Sequence, residues 1–317
     1  MASGPLARTE FALEQLLFTP ATPDLDAVRV IYAFPNTYSV GITSLGYQVI
    51  WSLLASRREV AVARLFTDLA EPLPRDPELM GFSLSWELDY VHILDLLEQQ
   101  GIPLQAEARG EADPLVFGGG PVLTANPEPF AAFFDFILLG DGEGLVEQML
   151  QTYRQVRQGS RAEKLQALAQ VPGIYVPSLY EVHYRGPDGP VEKVIPKRDG
   201  IPSSIRKHTF RGNTLSVSTV VTPKAAWESI YMVEVVRSCP EMCRFCLASY
   251  LTLPFRAADV EGHLIPAVER GLQVTQRIGL LGASVTQHPQ FEELLEYLAQ
   301  DRFEQVRLSL ASVRTGT

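Results

Sequence analysis

The pattern of apolar and polar positions in the first half of the chain alternates between two kinds of segment. Short apolar runs rich in branched and aromatic residues, typical of buried strands, lie at 28–34, 60–66, 79–84, 114–117 and 134–139. Longer stretches with apolar residues at helical spacing lie at 45–54, 88–99 and 143–155. Strands that alternate with helices form parallel sheets covered on both faces. We therefore predict an α/β fold in which residues 1–172 form a doubly wound, flavodoxin-like or Rossmann-like domain.

The pattern changes after residue 172 and then resumes. Residues 173–228 are predicted to be a connector with a β-hairpin, because strand-like segments at 180–184 and 191–195 flank a turn that contains Asp188-Gly189. Further strands are predicted at 230–236, 278–281 and 306–310, and helices at 259–271 and 291–298. Three strands and two helices make about half of a (β/α)8 barrel. Residues 229–317 are therefore predicted to be the first part of a barrel, with the sequence ending inside it.

Composition and charge narrow the class of protein. Hydrophobic residues make up 46% and charged residues 20%, which allows sizeable cores and argues against disorder. No apolar run is long enough to span a membrane, and residues 1–9 do not resemble a signal peptide, so we expect a cytoplasmic protein. The formal net charge of −10 argues against bulk nucleic-acid binding. We interpret the small basic cluster of Arg206, Lys207, His208 and Arg211 as a solvated loop.

All three cysteines lie within eight residues, with Cys239, Cys243 and Cys246 in a C-x3-C-x2-C spacing. An odd number this closely spaced does not make a disulfide framework. Thiolates are soft ligands that suit iron–sulfur clusters or zinc. Structural zinc normally has four protein ligands, and the sequence has no second cysteine pair. Three thiolates could instead hold three irons of a four-iron cluster and leave one iron open for chemistry. Structural zinc is the weaker alternative.

This loop, with aromatic Phe245 before the third cysteine and a predicted barrel strand before the first, resembles the signature of the radical S-adenosylmethionine (radical SAM) superfamily. The resemblance implies a [4Fe-4S] cluster whose open iron is chelated by the amino and carboxylate groups of S-adenosylmethionine (SAM). Reduction, for example by a flavodoxin or ferredoxin, would cleave SAM to methionine and a 5′-deoxyadenosyl radical that abstracts hydrogen from a substrate. No catalytic residue is assigned beyond the cluster.

The resemblance also implies a SAM contact after the second barrel strand. Many members carry a Gly-Gly-Glu-like segment there, whereas this chain reads Leu281-Gly282-Ala283-Ser284, without the acidic residue. We therefore expect Phe245, Gly282 and Ser284 to contact SAM. Two nearby residues are given ordinary interpretations. His288 is expected in a surface loop, and Arg256 is expected either to meet a carboxylate or to form an exposed salt bridge.

A flavodoxin-like domain before such a barrel resembles the cobalamin-binding class of radical SAM proteins. The stretches at 34–41, 81–84, 118–121 and 140–143 are similar to a little-characterised bacterial family with this architecture. The resemblance implies a cobalamin pocket formed by Asn36, Tyr38, Gly41, Gly119, Gly120, Gly140 and Gly142. Where related domains ligate cobalt with Asp-x-His-x-x-Gly, Tyr38 replaces the imidazole. Cobalamin would then bind without a protein axial ligand, or the pocket has lost the cofactor and its glycines only make tight turns.

The leading hypothesis is a radical SAM enzyme, or its N-terminal part, that acts on an unknown substrate. The alternative is a non-catalytic cobalamin- or metal-binding module, or an inactive fragment of a longer enzyme. The two differ in whether SAM is cleaved.

Overall fold

The structure is a computed structural model, and it describes residues 10–212 and 214–314. The expectation about a signal peptide therefore concerns residues outside the described part. None of the described helices is long and apolar enough to cross a membrane.

The chain forms short strands and helices in an alternating order. The strands are β1 (Gln15–Leu16), β2 (Val28–Ala33), β3 (Val60–Leu65), β4 (Leu79–Ser83), β5 (Leu115–Gly119), β6 (Phe136–Leu138), β7 (Ile174–Tyr175), β8 (Tyr180–Tyr184), β9 (Val191–Pro196), β10 (Val220–Val221), β11 (Tyr231–Glu234), β12 (Val236–Arg237), β13 (Arg256–Ala257), β14 (Arg277–Leu281) and β15 (Arg307–Leu310). The α-helices are α1 (Tyr38–Thr43), α2 (Leu45–Ala55), α3 (Tyr90–Gln99), α4 (Pro121–Ala125), α5 (Leu145–Gln155), α6 (Arg161–Leu168), α7 (Leu247–Leu251), α8 (Ile265–Leu272) and α9 (Phe291–Leu298).

The first sheet has six strands in the order β3-β2-β4-β5-β6-β7. Its first five strands are parallel, and in chain order they take the 2-1-3-4-5 arrangement of flavodoxin-like sheets. This confirms the predicted parallel α/β sheet. Strand β7 is antiparallel to β6 and comes from the segment predicted as a connector, so the sheet continues beyond residue 172. All five parallel strands present their carboxyl ends at one edge.

Local sequence signals account for several helix ends. Helix α3 ends before Gly101, which adopts φ +68°, as expected for a capping glycine. Helix α6 begins with a capping box in which Ser160 and Glu163 satisfy each other's backbone N–H groups. The strands of the first sheet owe their position to burial, since all five residues of β4 are buried.

The second sheet has three parallel strands in the order β11-β14-β15, connected through α8 and α9. This is the predicted βαβαβ order. Helix α8 is preceded by a π-helical turn, Val260–Leu264, inside the segment predicted as one helix. The predicted connector also contains β10, which pairs with β1. The hairpin β8–β9 forms as predicted.

Candidate functional site

A cavity of about 280 Å³ lies at the carboxyl edge of the first sheet. Tyr32, Ser83, Gly119 and Leu138 bring the ends of β2, β4, β5 and β6 to its wall, and residues of α2 and α5 close two sides. Its surface is mostly apolar. Ligands of open α/β sheets bind at this edge. The volume is just below that of ligand pockets, which are roughly 300–1,000 Å³.

Three of the five predicted pocket glycines, Gly120, Gly140 and Gly142, are explained by packing alone. An added Cβ at Gly140 (φ +99°) would overlap the carbonyl oxygen of His208, and one at Gly120 (φ +110°) would lie 2.5 Å from that of Leu84. At Gly142 it would overlap a side chain of α2. These glycines let chain segments approach each other, so they are not evidence for a ligand.

Two other glycines have no such explanation. An added Cβ at Gly119 would meet its nearest neighbour only at 3.7 Å, and at Gly46 it would meet nothing within 4 Å. Both line the cavity. Gly46 was not among the predicted site residues, because a glycine early in an amphipathic helix carries no distinctive local signal. The backbone at these two positions is open to an occupant of the cavity.

The predicted pocket residues that follow β2 do not line the cavity. The hydroxyl of buried Tyr38 donates a 2.6 Å hydrogen bond to the Glu14 carboxylate. Burial and this carboxylate raise the pKa of Tyr38 well above its ordinary value, so the phenol stays neutral. Gly41 packs under the Phe66 ring, which an added Cβ would approach to 2.6 Å. The Asn36 amide donates to a carboxylate in the loop after β4. These residues belong to the core and the neighbouring loop.

The cysteine loop, residues 238–246, connects β12 to α7. Cys243 is exposed, and Cys239 and Cys246 are partly exposed. The loop begins at buried Ser238, which adopts φ +71° and donates from its hydroxyl to the Ser249 carbonyl oxygen over 2.8 Å. Hydrogen bonds from the Ser249 side chain and backbone lower the pKa of the Cys246 thiol. Both ends of the loop are therefore anchored, while its middle faces solvent.

The donor chemistry of this loop fits an iron–sulfur cluster. The loop offers three free thiols and contains no histidine. In the described residues, no group of three His, Cys, Asp or Glu side chains is already gathered around a metal-sized space. Thiolates repel one another, and a metal commonly completes the folding of such loops.

The loop that follows β14 lies beside the cysteine loop. The Cys239 thiol is 3.6 Å from the Gln287 side-chain oxygen, to which it donates. An added Cβ at Gly282 would lie 2.8 Å from the Val236 carbonyl oxygen, so close approach to β12 requires this glycine. Ser284 is buried at the start of the same loop. Of the predicted SAM-contacting residues, Gly282 and Ser284 thus lie near the cysteine loop, whereas the Phe245 side chain is 90% exposed.

Of two predictions about nearby residues, the one for His288 is wrong and the carboxylate alternative for Arg256 is confirmed. His288 is buried rather than on the surface. Its Nε2 lies 2.7 Å from the Ala258 carbonyl oxygen, and its Nδ1 accepts from the Gln290 backbone N–H. Arg256 does meet a carboxylate, that of Asp141 at 2.5 Å, but its side chain is only 10% exposed.

The basic cluster predicted as a solvated loop instead holds the two halves of the chain together. The Lys207 ammonium donates to the carbonyl oxygens of Leu251 and Leu253, each over 2.7 Å. The backbone of His208 accepts from Asp141 beside the cavity. The two arginines of the cluster are exposed. Segment 207–210 therefore lies between the end of β6 and the segment after α7.

Arg237 forms the polar corner of the cavity. Its guanidinium pairs with Glu234 at 2.6 Å, Glu143 at 2.8 Å and Asp141 at 3.2 Å, and all four residues line the cavity. The hydroxyl of Ser216 donates to Glu143 as well. Burial lowers the pKa of Arg237, but hydrogen bonds to Glu234 and Glu143 outweigh it, so the pKa is raised.

The cavity and the cysteine loop are adjacent. Arg237, immediately before the loop, and Leu251 and Thr252, at the end of α7, all line the cavity. Helix α7 also packs against α4, which begins directly after Gly120. The carboxyl edges of the two parallel sheets therefore meet at one place.

Known proteins are similar to parts of this chain. Residues 55–177 match a family model described as radical SAM proteins, N-terminal. The match covers the first sheet from the end of α2 to the segment after β7. It does not include the cysteine loop.

Solved structures share the fold over 89% of the chain. One is the cobalamin-dependent SAM radical enzyme OxsB with aqua-cobalamin and SAM bound, with 13% identity and a TM-score of 0.53 over 38% of its length. Another is the radical SAM methyltransferase TsrM from Kitasatospora setae with cobalamin and a [4Fe-4S] cluster bound, with 11% identity and a TM-score of 0.50 over 54% of its length. At such identities the likeness concerns the fold alone.

A curated relative is an uncharacterised protein of Methanocaldococcus jannaschii. It is 23% identical over 292 residues, which are 92% of this chain and 56% of the relative. The chain thus spans about half the length of the curated relative that it matches.

Proposed function

We propose that the chain is a radical SAM enzyme, or the N-terminal part of one, in which Cys239, Cys243 and Cys246 hold a [4Fe-4S] cluster. The observation that carries the proposal is the position of the three thiols. They lie on one loop between the short strand β12, which follows β11 of the second sheet, and a helix, beside the loop after β14 and next to a cavity at the edge of the first sheet. When bound, the cluster would supply the electron that cleaves SAM to methionine and a 5′-deoxyadenosyl radical.

The residues of the chain would serve to bind and orient. The backbone at Gly282 and the buried Ser284, in the loop beside Cys239, would contact SAM, and this loop lacks an acidic side chain of its own. Gln287, whose side-chain oxygen accepts from the Cys239 thiol, would hold this cysteine beside the same loop before the cluster binds. The electron would come from a reductant such as a flavodoxin or ferredoxin.

We further propose that the cavity holds part of a cobalamin without a protein ligand to cobalt. The open backbone at Gly46 and Gly119 and the apolar wall support this. None of the described cavity-lining residues is a histidine, and Tyr38, at the position of the usual imidazole, is buried in the core. The shared fold with OxsB and TsrM, whose structures contain cobalamin, points the same way.

Anaerobic reconstitution with iron and sulfide tests the cluster. We expect about four irons per chain and a broad absorption band near 400 nm, typical of thiolate-bound [4Fe-4S] clusters. Because the chain has three cysteines in all, each single Cys→Ala variant should lose most of this iron. Arg244→Gln, an exposed change in the same loop, is the matched control and should keep it. A Cys243→Ala variant with an unchanged cluster would refute the ligand assignment.

Formation of 5′-deoxyadenosine separates the enzyme from a non-catalytic binding module. The reconstituted protein should release it from SAM in the presence of a strong reductant, and the Cys→Ala variants should not. A stable cluster without SAM cleavage would favour the binding module. One colourless zinc per chain would favour the structural zinc site.

A further inference from the structure

Arg237 holds carboxylates from both sheets at once. Asp141 and Glu143 lie in the loop after β6 of the first sheet, and Glu234 ends β11 of the second. Arg237 itself ends β12 and lies two residues before Cys239. The same side chain therefore touches the cavity wall and the stem of the cysteine loop.

These ion pairs depend on the planar, forked shape of the Arg237 guanidinium group. The Nε and both terminal nitrogens of Arg237 are used, with Nε donating to Glu234 at 2.7 Å and Nη2 to Glu143 at 2.8 Å. The Ser216 hydroxyl accepts from Arg237 and its backbone N–H donates to Glu234. A lysine, with a single point charge, cannot match three carboxylates in this way. Loss of the guanidinium would leave the buried carboxylates facing one another.

We propose that Arg237 is a positioning residue that fixes the stem of the cysteine loop against the wall of the cavity, so that an occupant that displaces Asp141 or Glu143 also displaces Cys239. The proposal rests on the proposed function for what the loop and the cavity bind. The coupling between the cavity wall and the loop stem through Arg237 does not depend on the proposed function. This coupling can be measured in the metal-free protein.

Arg64 provides a matched control. Its side chain is 2% exposed, against 10% for Arg237, and it pairs with two carboxylates, Glu14 at 2.7 Å and Glu71 at 2.8 Å. Glu14 lies in the N-terminal segment and Glu71 in the loop after β3, away from the cysteine loop. An effect of general destabilisation should therefore appear in both arginine variants, whereas an effect on loop position should appear only in Arg237 variants.

The test is the rate at which each thiol of the metal-free protein reacts with iodoacetamide, resolved by fragment mass spectrometry. All three thiols of the chain lie in the loop, so no other cysteine contributes. In Arg237→Gln we expect alkylation of Cys239 to speed up by about tenfold, because the stem opens more often. Arg237→Lys should recover only part of the protection. Glu143→Gln, which removes a partner 94 residues earlier in the chain, should raise the same rate by several-fold.

Arg64→Gln should lower the unfolding temperature and leave the Cys239 rate within about twofold when it is measured well below that temperature. Equal acceleration in Arg64→Gln and Arg237→Gln, or an unchanged rate in both Arg237→Gln and Glu143→Gln, would overturn the proposal. If Arg237→Gln does not fold, the Cys239 alkylation rate of Glu143→Gln alone tests the proposal. A wild-type protein that binds no cluster would refute the proposed function and leave the thiol comparison valid.

Discussion

The cavity at the edge of the first sheet and the cysteine loop at the edge of the second are built in opposite ways. The cavity wall comes from buried strand ends, and its glycines and charged groups are held by contacts within the protein. The cysteine loop is anchored at its ends, and its central residues face solvent. Packing alone therefore shapes the first region, whereas the proposed cluster would have to gather the thiols of the second.

The largest effect should come from removing the charge that ties the N-terminal segment to the first sheet. Arg64 is 2% exposed and lies over the Trp51 ring at 3.8 Å. Arg64→Gln leaves the buried Glu14 carboxylate without its cationic partner, so we expect a loss of about 3–5 kcal/mol in unfolding free energy. Chemical denaturation measures it. A loss below 1 kcal/mol would show that the first region is not held in this way.

Metal loading should change only the second region. On reconstitution, backbone hydrogen exchange in residues 238–251 should slow by about 100-fold, which corresponds to about 2.7 kcal/mol of added local stability. Exchange in β2, β4 and β5 should stay within experimental error. Equal slowing in both regions would contradict the contrast between a preformed cavity and a loop ordered by its ligand.

The packing glycines should be sensitive to a single methyl group. At Gly140 the backbone has φ +99° and an added Cβ would overlap the His208 carbonyl oxygen. Gly140→Ala should therefore cost about 1–3 kcal/mol from the strained backbone, and more from the overlap. Thermal unfolding measures the loss, and a neutral substitution would mean that the segment at 207–210 is free to move away.

Gly119, where an added Cβ has room, should behave differently from Gly140. Gly119→Ala has room for its methyl group, so the unfolding free energy should change by less than about 1 kcal/mol. The methyl group would, however, occupy space at the cavity wall. Aqua-cobalamin, titrated and followed by its visible spectrum, should bind Gly119→Ala more weakly than wild type. If Gly119→Ala bound aqua-cobalamin as tightly as wild type but lost unfolding free energy, Gly119 would be a packing glycine like Gly140.

The sequence predicted the elements of the two sheets, but it did not predict several contacts of individual side chains. Apolar runs and helical spacing predicted the parallel strands and the order of elements, because burial and chain direction act locally. Tyr38 and His288 were misplaced because their partners, Glu14 and the Ala258 carbonyl, are distant in sequence or belong to the backbone. The glycines were located at the correct edge, but only the structure distinguishes Gly119 from those required by packing.

Charged residues were the least predictable. The pattern places Glu143 and Arg237 in different halves of the chain, and nothing local indicates that they pair. Lys207 looked like part of a solvated cluster because the carbonyl oxygens that it meets carry no sequence signature. Such contacts form only when the two sheets pack together.

The electron paramagnetic resonance spectrum of the reduced, reconstituted protein, recorded with and without SAM, shows whether the three cysteines hold a cluster with one open iron. In protein that holds about four irons per chain, we expect a signal whose g-values shift when SAM is added, because three cysteine ligands leave one iron open to SAM. A fully loaded cluster whose spectrum is unchanged by saturating SAM would contradict it.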